Sequence, residues 1–146
     1  MNQLHVKKNK SNKLDYLSLE DPSFIKVVDW LVHEEGYTLD FANQCKKEFL
    51  MVAAIGINPQ NPLFKYYVIV PSASADKFLH TFLLFNYDYN NWCISKYNSI
   101  IYHYPKKTSN EGWEITQNAV KINFFEVWNK PGTSGLGEAC IDLGHW

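Results

Sequence analysis

The sequence contains no arginine, so all fourteen of its strongly basic residues are lysines. Arginine is the usual bidentate partner of phosphate, carboxylate and guanine edges in proteins. Its absence argues against phosphoryl transfer and against base-specific recognition of DNA. Asn, Lys, Tyr and Ile are abundant, and a genome rich in A and T favours the same residues. The argument against nucleic acid is therefore only partial.

Several targeting and redox features are also missing. The three cysteines, Cys45, Cys93 and Cys140, are far apart and odd in number, which argues against a disulfide framework. No apolar run reaches the roughly 18 residues of a membrane-spanning helix. The basic start of the chain has no apolar stretch behind it and is not a secretory signal. We therefore expect a cytoplasmic protein with reduced thiols and no membrane partner.

The length of 146 residues predicts a single folded domain. Residues 1–13 are polar and basic, so we predict a flexible polar tail over 1–13 and one α+β domain over 14–146. The alternative reading of the tail is a basic arm that contacts an acidic partner. The net charge of −1 predicts no strong attraction to nucleic acid.

Two helices are predicted in the first part of the chain. Asp21 and Pro22 are typical of a helix start, and Gly36 is typical of the residue that ends a helix. Apolar residues recur between them at helical spacing, which predicts a helix over 22–35. Trp30 falls on the opposite side of this helix, so it is either covered by another segment or available as an anchor for a partner. A second helix is predicted from about residue 38 or 40 to 55, with Cys45 in its packing face.

The next segments are predicted from shorter patterns. Residues 64–70 form a nearly continuous apolar run, which is typical of a central β-strand. Residues 76–85 fit either a helix or a strand, and we favour a helix because Phe78, Phe82 and Phe85 share a helical face. The polar run over 86–91 predicts a turn.

A long β-hairpin is predicted over 91–128. Two runs rich in aromatic and β-branched residues flank a polar segment, which is typical of paired strands. The expected fold is therefore α+β, with an N-terminal helix pair packed on an antiparallel sheet that contains this long C-terminal hairpin. The cystatin-like or nuclear-transport-factor-2-like cone is one architecture with this element order. That analogy concerns the fold alone.

The aromatic residues are the main functional signal in the sequence. They make up 16% of the chain and exceed what a core of this size needs. A surplus around one sheet favours a contact surface or a ligand pocket. We predict binding residues as follows: Trp30, Tyr97, Tyr102, His103, Tyr104 and Trp113.

Signals for chemistry are weak. Cys140, Asp142 and His145 lie close together and could bind a metal, but zinc sites normally show two pairs of ligands at short spacing. The glycine-rich run over 132–137 lacks the Lys-Ser/Thr ending of a phosphate-binding loop. We therefore predict no cofactor and no catalytic residue.

These patterns predict a non-enzymatic cytoplasmic protein-interaction module of the inhibitor, immunity or adaptor type. It would bind a partner protein through the aromatic-rich surface of the sheet. The alternative is a small-molecule-binding protein or enzyme with a pocket between helices and sheet. Tyr97, His103 and the tail Glu138–His145 would supply polar groups at its mouth. Stacking of single-stranded nucleic acid on the aromatic rings is a third and less favoured option, because it needs a basic groove. Part of such a groove could be supplied by Lys96, Lys106, Lys107 and Lys121.

Overall fold

The computed structural model describes residues 6–57, 69–100, 102–104, 110–128 and 140–142. These residues are mainly helical, so the predicted α+β class is wrong. A short 3-10 helix, Tyr16–Leu19, precedes the α-helices. The α-helices are α1 (Phe24–His33), α2 (Leu39–Ile57), α3 (Ala73–Leu84), α4 (Asn86–Tyr97) and α5 (Asn110–Phe124).

Helix α1 confirms the first helix predicted from the sequence. The Asp21 carboxylate accepts hydrogen bonds from the backbone N–H and the hydroxyl of Ser23 (2.9 and 2.6 Å), which fixes the turn into the helix. Gly36 has a φ of +74°, the left-handed conformation that glycine adopts without strain. The N–H of Tyr37 then donates to the carbonyl of Leu31 (2.9 Å) and closes the helix end.

Helices α2 and α3 also confirm predicted helices. The Thr38 hydroxyl accepts the N–H of Phe41 (3.1 Å) at the start of α2, and the Ser72 hydroxyl accepts the N–H of Ala75 (3.1 Å) at the start of α3. Such caps satisfy N–H groups that have no partner within the helix. The segment 76–85, which fitted both a helix and a strand, lies almost entirely in α3. Helices α2 and α3 form the most extensive contact between the described elements.

The predicted long hairpin is wrong, because its two arms lie largely in helices. The predicted turn over 86–91 is the first part of α4, and the first arm begins in the rest of that helix. Tyr89, Cys93 and Tyr97 are buried at intervals of four residues, and the buried Trp92 lies three residues after Tyr89, which is the helical period. Aromatic residues can pack against a core from a helix or from a strand. The spacing of the buried residues, and not their β-propensity, therefore shows which element they form.

The second predicted arm lies mainly in α5. Trp113, Thr116, Val120 and Phe124 are buried, again at intervals of three and four residues. The exposed residues between them make α5 an amphipathic helix that packs on the body through one side. Neither arm can therefore cover the N-terminal helices as a sheet.

The strand pairing that the structure describes is short. Strand β1 (Tyr102–Tyr104) pairs antiparallel with β2 (Cys140–Asp142), and His103 lies opposite Ile141 in the register. Residues 64–68 of the predicted central strand lie outside the described residues. At its end, the N–H of Val70 donates to the hydroxyl of Thr116 in α5 (3.0 Å).

The core is an aromatic cluster to which the first four helices contribute. Neighbouring rings lie 5.0 to 6.2 Å apart, in edge-to-face and tilted arrangements that favour aromatic pairs. The indole N–H of Trp92 donates to the carbonyl of Leu19 (2.9 Å), so its polar atom is satisfied inside the core. The central rings are Phe24, Phe49, Phe78, Phe82 and Trp92.

The segment 6–14 folds back on itself and packs on the body. Lys8 and Leu14 form an antiparallel bridge, and the N–H of Leu14 donates to the carbonyl of Asn123 at the end of α5 (3.1 Å). Val6 and Leu14 are buried. We call this segment the N-terminal turn. The predicted tail boundary after residue 13 therefore lies within the turn, and residues 1–5 lie outside the described residues.

Candidate functional site

One corner of the molecule combines ordered rings with exposed apolar side chains. Trp30 in α1 is half-buried, and its ring packs edge-to-face on Phe85 with 5.9 Å between centroids. Phe85 is the junction residue between α3 and α4. Its neighbours Leu84 and Tyr87 are 63% and 76% exposed. We call these four residues the Trp30 corner.

The charges around the Trp30 corner leave a negative surplus. Two ion pairs link α1 and the segment after it to α3 and α4: Lys26–Asp88 (2.9 Å) and Lys77–Glu35 (3.4 Å). Asp29 and Glu34, beside Trp30 on α1 and at its end, are exposed. Neither has a basic partner within ion-pair distance in the part of the chain that the structure describes. A partner with basic residues around its contact surface would complement this charge.

Two of the predicted binding residues lie in the core. Tyr97 is 8% exposed and packs edge-to-face on Trp92 with 5.2 Å between ring centroids. Burial raises the pKa of the Tyr97 hydroxyl well above its ordinary value, so it stays protonated. Trp113 is 9% exposed on the inner side of α5. Of the predicted aromatic residues whose side chains are described, Trp30 alone is only half-buried.

The strand pairing brings together two groups of candidates that are far apart in sequence. Tyr102, His103 and Tyr104 form β1, and Tyr102 lies opposite Asp142 while Tyr104 lies opposite Cys140. The register therefore places the predicted binding segment beside two of the weak metal candidates. His145 lies outside the described residues. Among the residues that could be searched, no group of three His, Cys, Asp or Glu side chains is placed to hold a metal ion.

The described thiols belong to the core. Cys45 and Cys93 are free and fully buried. Burial, followed by the nearby Glu48 carboxylate, raises the pKa of the Cys45 thiol to about 11. At neutral pH this thiol is therefore protonated and packs as a small apolar group, because the thiolate is the reactive form.

An open cleft of about 300 Å³ lies between the N-terminal turn, the 3-10 helix and α4. This volume is at the lower end of the range for ligand pockets. Tyr97, which the alternative function places at the mouth of a pocket, does not line this cleft. Its lining residues are Val6, Lys7, Asp15, Ser18, Leu19, Ser95 and Lys96.

Comparisons of this chain with protein-family models, with curated proteins and with solved structures find no match. Within the described segments, no helix combines the length and the apolar character needed to cross a membrane. A function is therefore proposed from the surface chemistry of the molecule itself.

Sequence reasoning missed most of the Trp30 corner. The sequence pattern predicts a turn at Tyr87 and puts Phe85 on the same helical face as Phe78 and Phe82. The helical period held a usable signal for Leu84, because it lies two residues after Phe82 and therefore points away from the packing face. The contact between Phe85 and Trp30 depends on how α1 meets the α3–α4 junction, and no local pattern encodes it.

Proposed function

We propose that this protein is a non-enzymatic protein-interaction module that binds a partner protein through the Trp30 corner. The supporting observation is the half-buried Trp30 ring, which packs on Phe85, whose neighbours Leu84 and Tyr87 are exposed. Trp and Tyr are enriched among the residues that dominate binding energy in protein interfaces. An inhibitor, immunity or adaptor protein would use such a surface.

The Trp30 corner is held in place before a partner binds, which favours its use as an anchor site. Phe85 holds the Trp30 ring, and the Lys26–Asp88 ion pair joins α1 to α4 one helical turn away. A side chain that is already fixed loses less conformational entropy when a partner binds. The corner therefore has both the apolar groups and the rigidity of an anchor site.

The charge of the corner indicates the chemistry of the partner. Asp29 and Glu34 give the rim its negative surplus, so the partner should present lysines or arginines around an apolar depression. Association should then be faster at low salt, because attraction between exposed charges is screened as the ionic strength rises.

The test compares variants of the corner with a matched exposed control. Proteins that co-purify with the wild-type chain from its source cell are identified, and each candidate is purified for titration calorimetry at about 50 and about 300 mM salt. We expect one partner with a basic surface, bound at least about tenfold more weakly by Trp30→Ala and by Tyr87→Ala, which corresponds to about 1.4 kcal/mol. Ile25→Ala should bind like the wild type, since Ile25 is 66% exposed on α1 outside the corner.

Tyr87→Ala separates binding from folding. Tyr87 is 76% exposed, so its removal should leave the unfolding curve unchanged. A partner that binds Tyr87→Ala and Trp30→Ala as tightly as the wild type would contradict the proposal.

A further inference from the structure

A second surface lies at the C-terminal end of α5. Phe125, the first residue after the helix, has a φ of +59°, and its N–H donates to the carbonyl of Lys121 (3.0 Å). Glycine or asparagine normally occupies this left-handed position, because a bulky side chain there is strained. The Phe125 side chain is nevertheless 60% exposed, so burial does little to offset the strain. Strained residues of this kind concentrate at binding sites.

Phe125 is part of an exposed apolar group. Ile122 and Val127 are 66% and 72% exposed, one turn before and two residues after Phe125. The segment that carries Val127 is ordered by Gln117, whose side chain accepts from the N–H of Trp128 (3.3 Å) and donates to its carbonyl (2.6 Å). The apolar group is therefore held on a fixed backbone. We call Ile122, Phe125 and Val127 the Phe125 end.

Two lysines without ion-pair partners lie at the Phe125 end. Lys13 Nζ lies 5.8 Å from the centre of the Phe125 ring, and the N-terminal turn is docked on α5 by the Leu14–Asn123 hydrogen bond. Glu126, between Phe125 and Val127, is neutralised by an ion pair with Lys47 (3.1 Å). Lys13 and Lys121, the second in the last turn of α5, have no carboxylate partner within ion-pair distance in the described part of the chain.

We propose that the Phe125 end is a second interaction surface, which binds a partner protein through an acidic segment that carries apolar side chains. The unpaired lysines would attract the acidic residues, and the three apolar side chains would contact the apolar ones. The Phe125 end shares no residue with the Trp30 corner, so binding at one surface can be tested without the other. With both surfaces, the protein would be an adaptor whose two contact sites carry opposite charge.

Two other occupants fit the Phe125 end less well. Glu111 and Glu114 continue the exposed side of α5 away from Phe125, and an anionic membrane would repel them. Single-stranded nucleic acid needs aromatic rings for its bases to stack on, but Ile122 and Val127 are aliphatic. An acidic protein segment can avoid the two glutamates and still reach the lysines.

The test uses a fluorescent acidic peptide as the probe. The peptide carries Phe and Leu at every third or fourth position and Asp or Glu elsewhere, and binding is followed by anisotropy. We expect the full-length wild type to bind it and Phe125→Gly to bind at least tenfold more weakly. The double substitution Lys13→Glu and Lys121→Glu should also weaken binding and reduce its salt dependence. Trp30→Ala should bind like the wild type.

Phe125→Gly also provides its own folding control. Because glycine relieves the left-handed strain, its urea midpoint should rise while its affinity for the peptide falls. A loss of binding by a more stable protein cannot be explained by unfolding.

Four results would overturn the proposal. The first is that the wild type does not bind the acidic peptide, and the second is that Phe125→Gly binds it as tightly as the wild type does. The third is that the wild type binds a control peptide, with Lys in place of Asp and Glu, as tightly as the acidic one. The fourth is that the wild type binds phosphatidylserine vesicles and not the peptide. Sedimentation without peptide should show a monomer. A self-associated wild type that Phe125→Gly dissociates would instead identify a second copy of the chain as the occupant.

Discussion

The rings at the centre of the molecule and the rings at the Trp30 corner come from the same helices but have different environments. Helix α1 contributes Phe24 to the core and Trp30 to the corner, and α4 contributes Trp92 to the core and Tyr87 to the corner. Each pair lies on opposite parts of one helix surface. The comparison shows that position in the helical period, and not aromatic content, separates structural rings from rings available to a partner.

The comparison also weakens the prediction, made from aromatic content, that many of the rings contact a partner or ligand. Between residues 87 and 128, the structure describes the side chains of six tyrosines and tryptophans, and five of these rings are less than 10% exposed. They are explained by the core, since burying a large side chain contributes roughly 1.5–3 kcal/mol to stability. Tyr87 is the exception, with 76% exposure. The buried rings are Tyr89, Trp92, Tyr97, Trp113 and Trp128.

The largest expected effect is at the centre of the ring cluster. Trp92→Ala removes a ring that contacts Phe24, Phe49 and Phe82 and also the hydrogen bond to Leu19. We expect it to lower the free energy of unfolding by about 3–5 kcal/mol, because a large cavity is left behind. Urea unfolding followed by circular dichroism measures this.

Tyr87→Ala is the matched control on the same helix. It should change the free energy of unfolding by less than about 0.5 kcal/mol, because the ring is mostly exposed. If the two substitutions had similar effects, the contrast between core and corner would be lost.

An intermediate effect is expected where α5 meets the core. The buried Thr116 hydroxyl accepts the N–H of Val70 (3.0 Å) and donates to the carbonyl of Gly112 (2.8 Å). Thr116→Val keeps the shape but leaves a buried N–H without this partner, so we expect a loss of about 1–3 kcal/mol. Hydrogen exchange of the Val70 amide should accelerate along with the decrease in stability.

Thr81→Val provides the control for Thr116. The Thr81 hydroxyl is also buried, but the hydrogen bond described for it runs to the Lys77 carbonyl of its own helix (3.0 Å). Its removal should cost less than Thr116→Val, on the order of 1 kcal/mol or below. If both substitutions lowered the free energy of unfolding by the same amount, the hydrogen bond to Val70 would contribute no more than the hydrogen bond within α3.

The smallest effect is expected on the outer side of α3. His80 Nε2 lies 3.4 Å from Asp76 Oδ2, and this hydrogen bond raises the pKa of His80 above its ordinary 6.5, although burial acts in the opposite direction. Because the pKa of His80 is higher in the folded state, protonated His80 contributes its full stabilisation below the unfolded-state pKa of about 6.5. This contribution is lost as the pH rises through the folded-state pKa. The Asp76 side chain is buried but the His80 side chain is half-exposed, and solvent screening on the histidine side limits the expected contribution to roughly 0.2–1 kcal/mol.

The pH dependence is measured against His80→Gln. Urea midpoints at pH 5.5 and pH 8 should differ more in the wild type than in the variant, with the wild type gaining at the lower pH. The difference between the two proteins isolates His80 from the other titrating groups. An identical pH profile in both would contradict the role assigned to the pair.

Local chemistry was enough to predict the first three helices. Asp21, Gly36 and the apolar spacing of α1 act within one or two turns of the chain, so their effect does not depend on distant residues. The prediction failed at α4 and α5, where Asn, Tyr and Ile favour turns and strands in isolation. There, burial of one side of each helix outweighs the local preference.

The candidate surfaces were predictable only in part. The position of Trp30 opposite the apolar side of α1 was read correctly from the helical period. Its contact with Phe85 and the nearness of Tyr87 required α3 and α4 to meet α1 at one corner. Likewise, Lys13 is visible in the sequence, but its nearness to Phe125 depends on the docking of the N-terminal turn through the hydrogen bond between Leu14 and Asn123.

The sequence by itself determined the helices of the N-terminal part, the buried position of Cys45 and the absence of arginine clamps. Only the tertiary structure decided that the aromatic C-terminal segments are helices and which rings stay outside. The physical reason is that capping and periodicity act through neighbours along the chain. Packing energy depends on surfaces that meet only after the chain has folded.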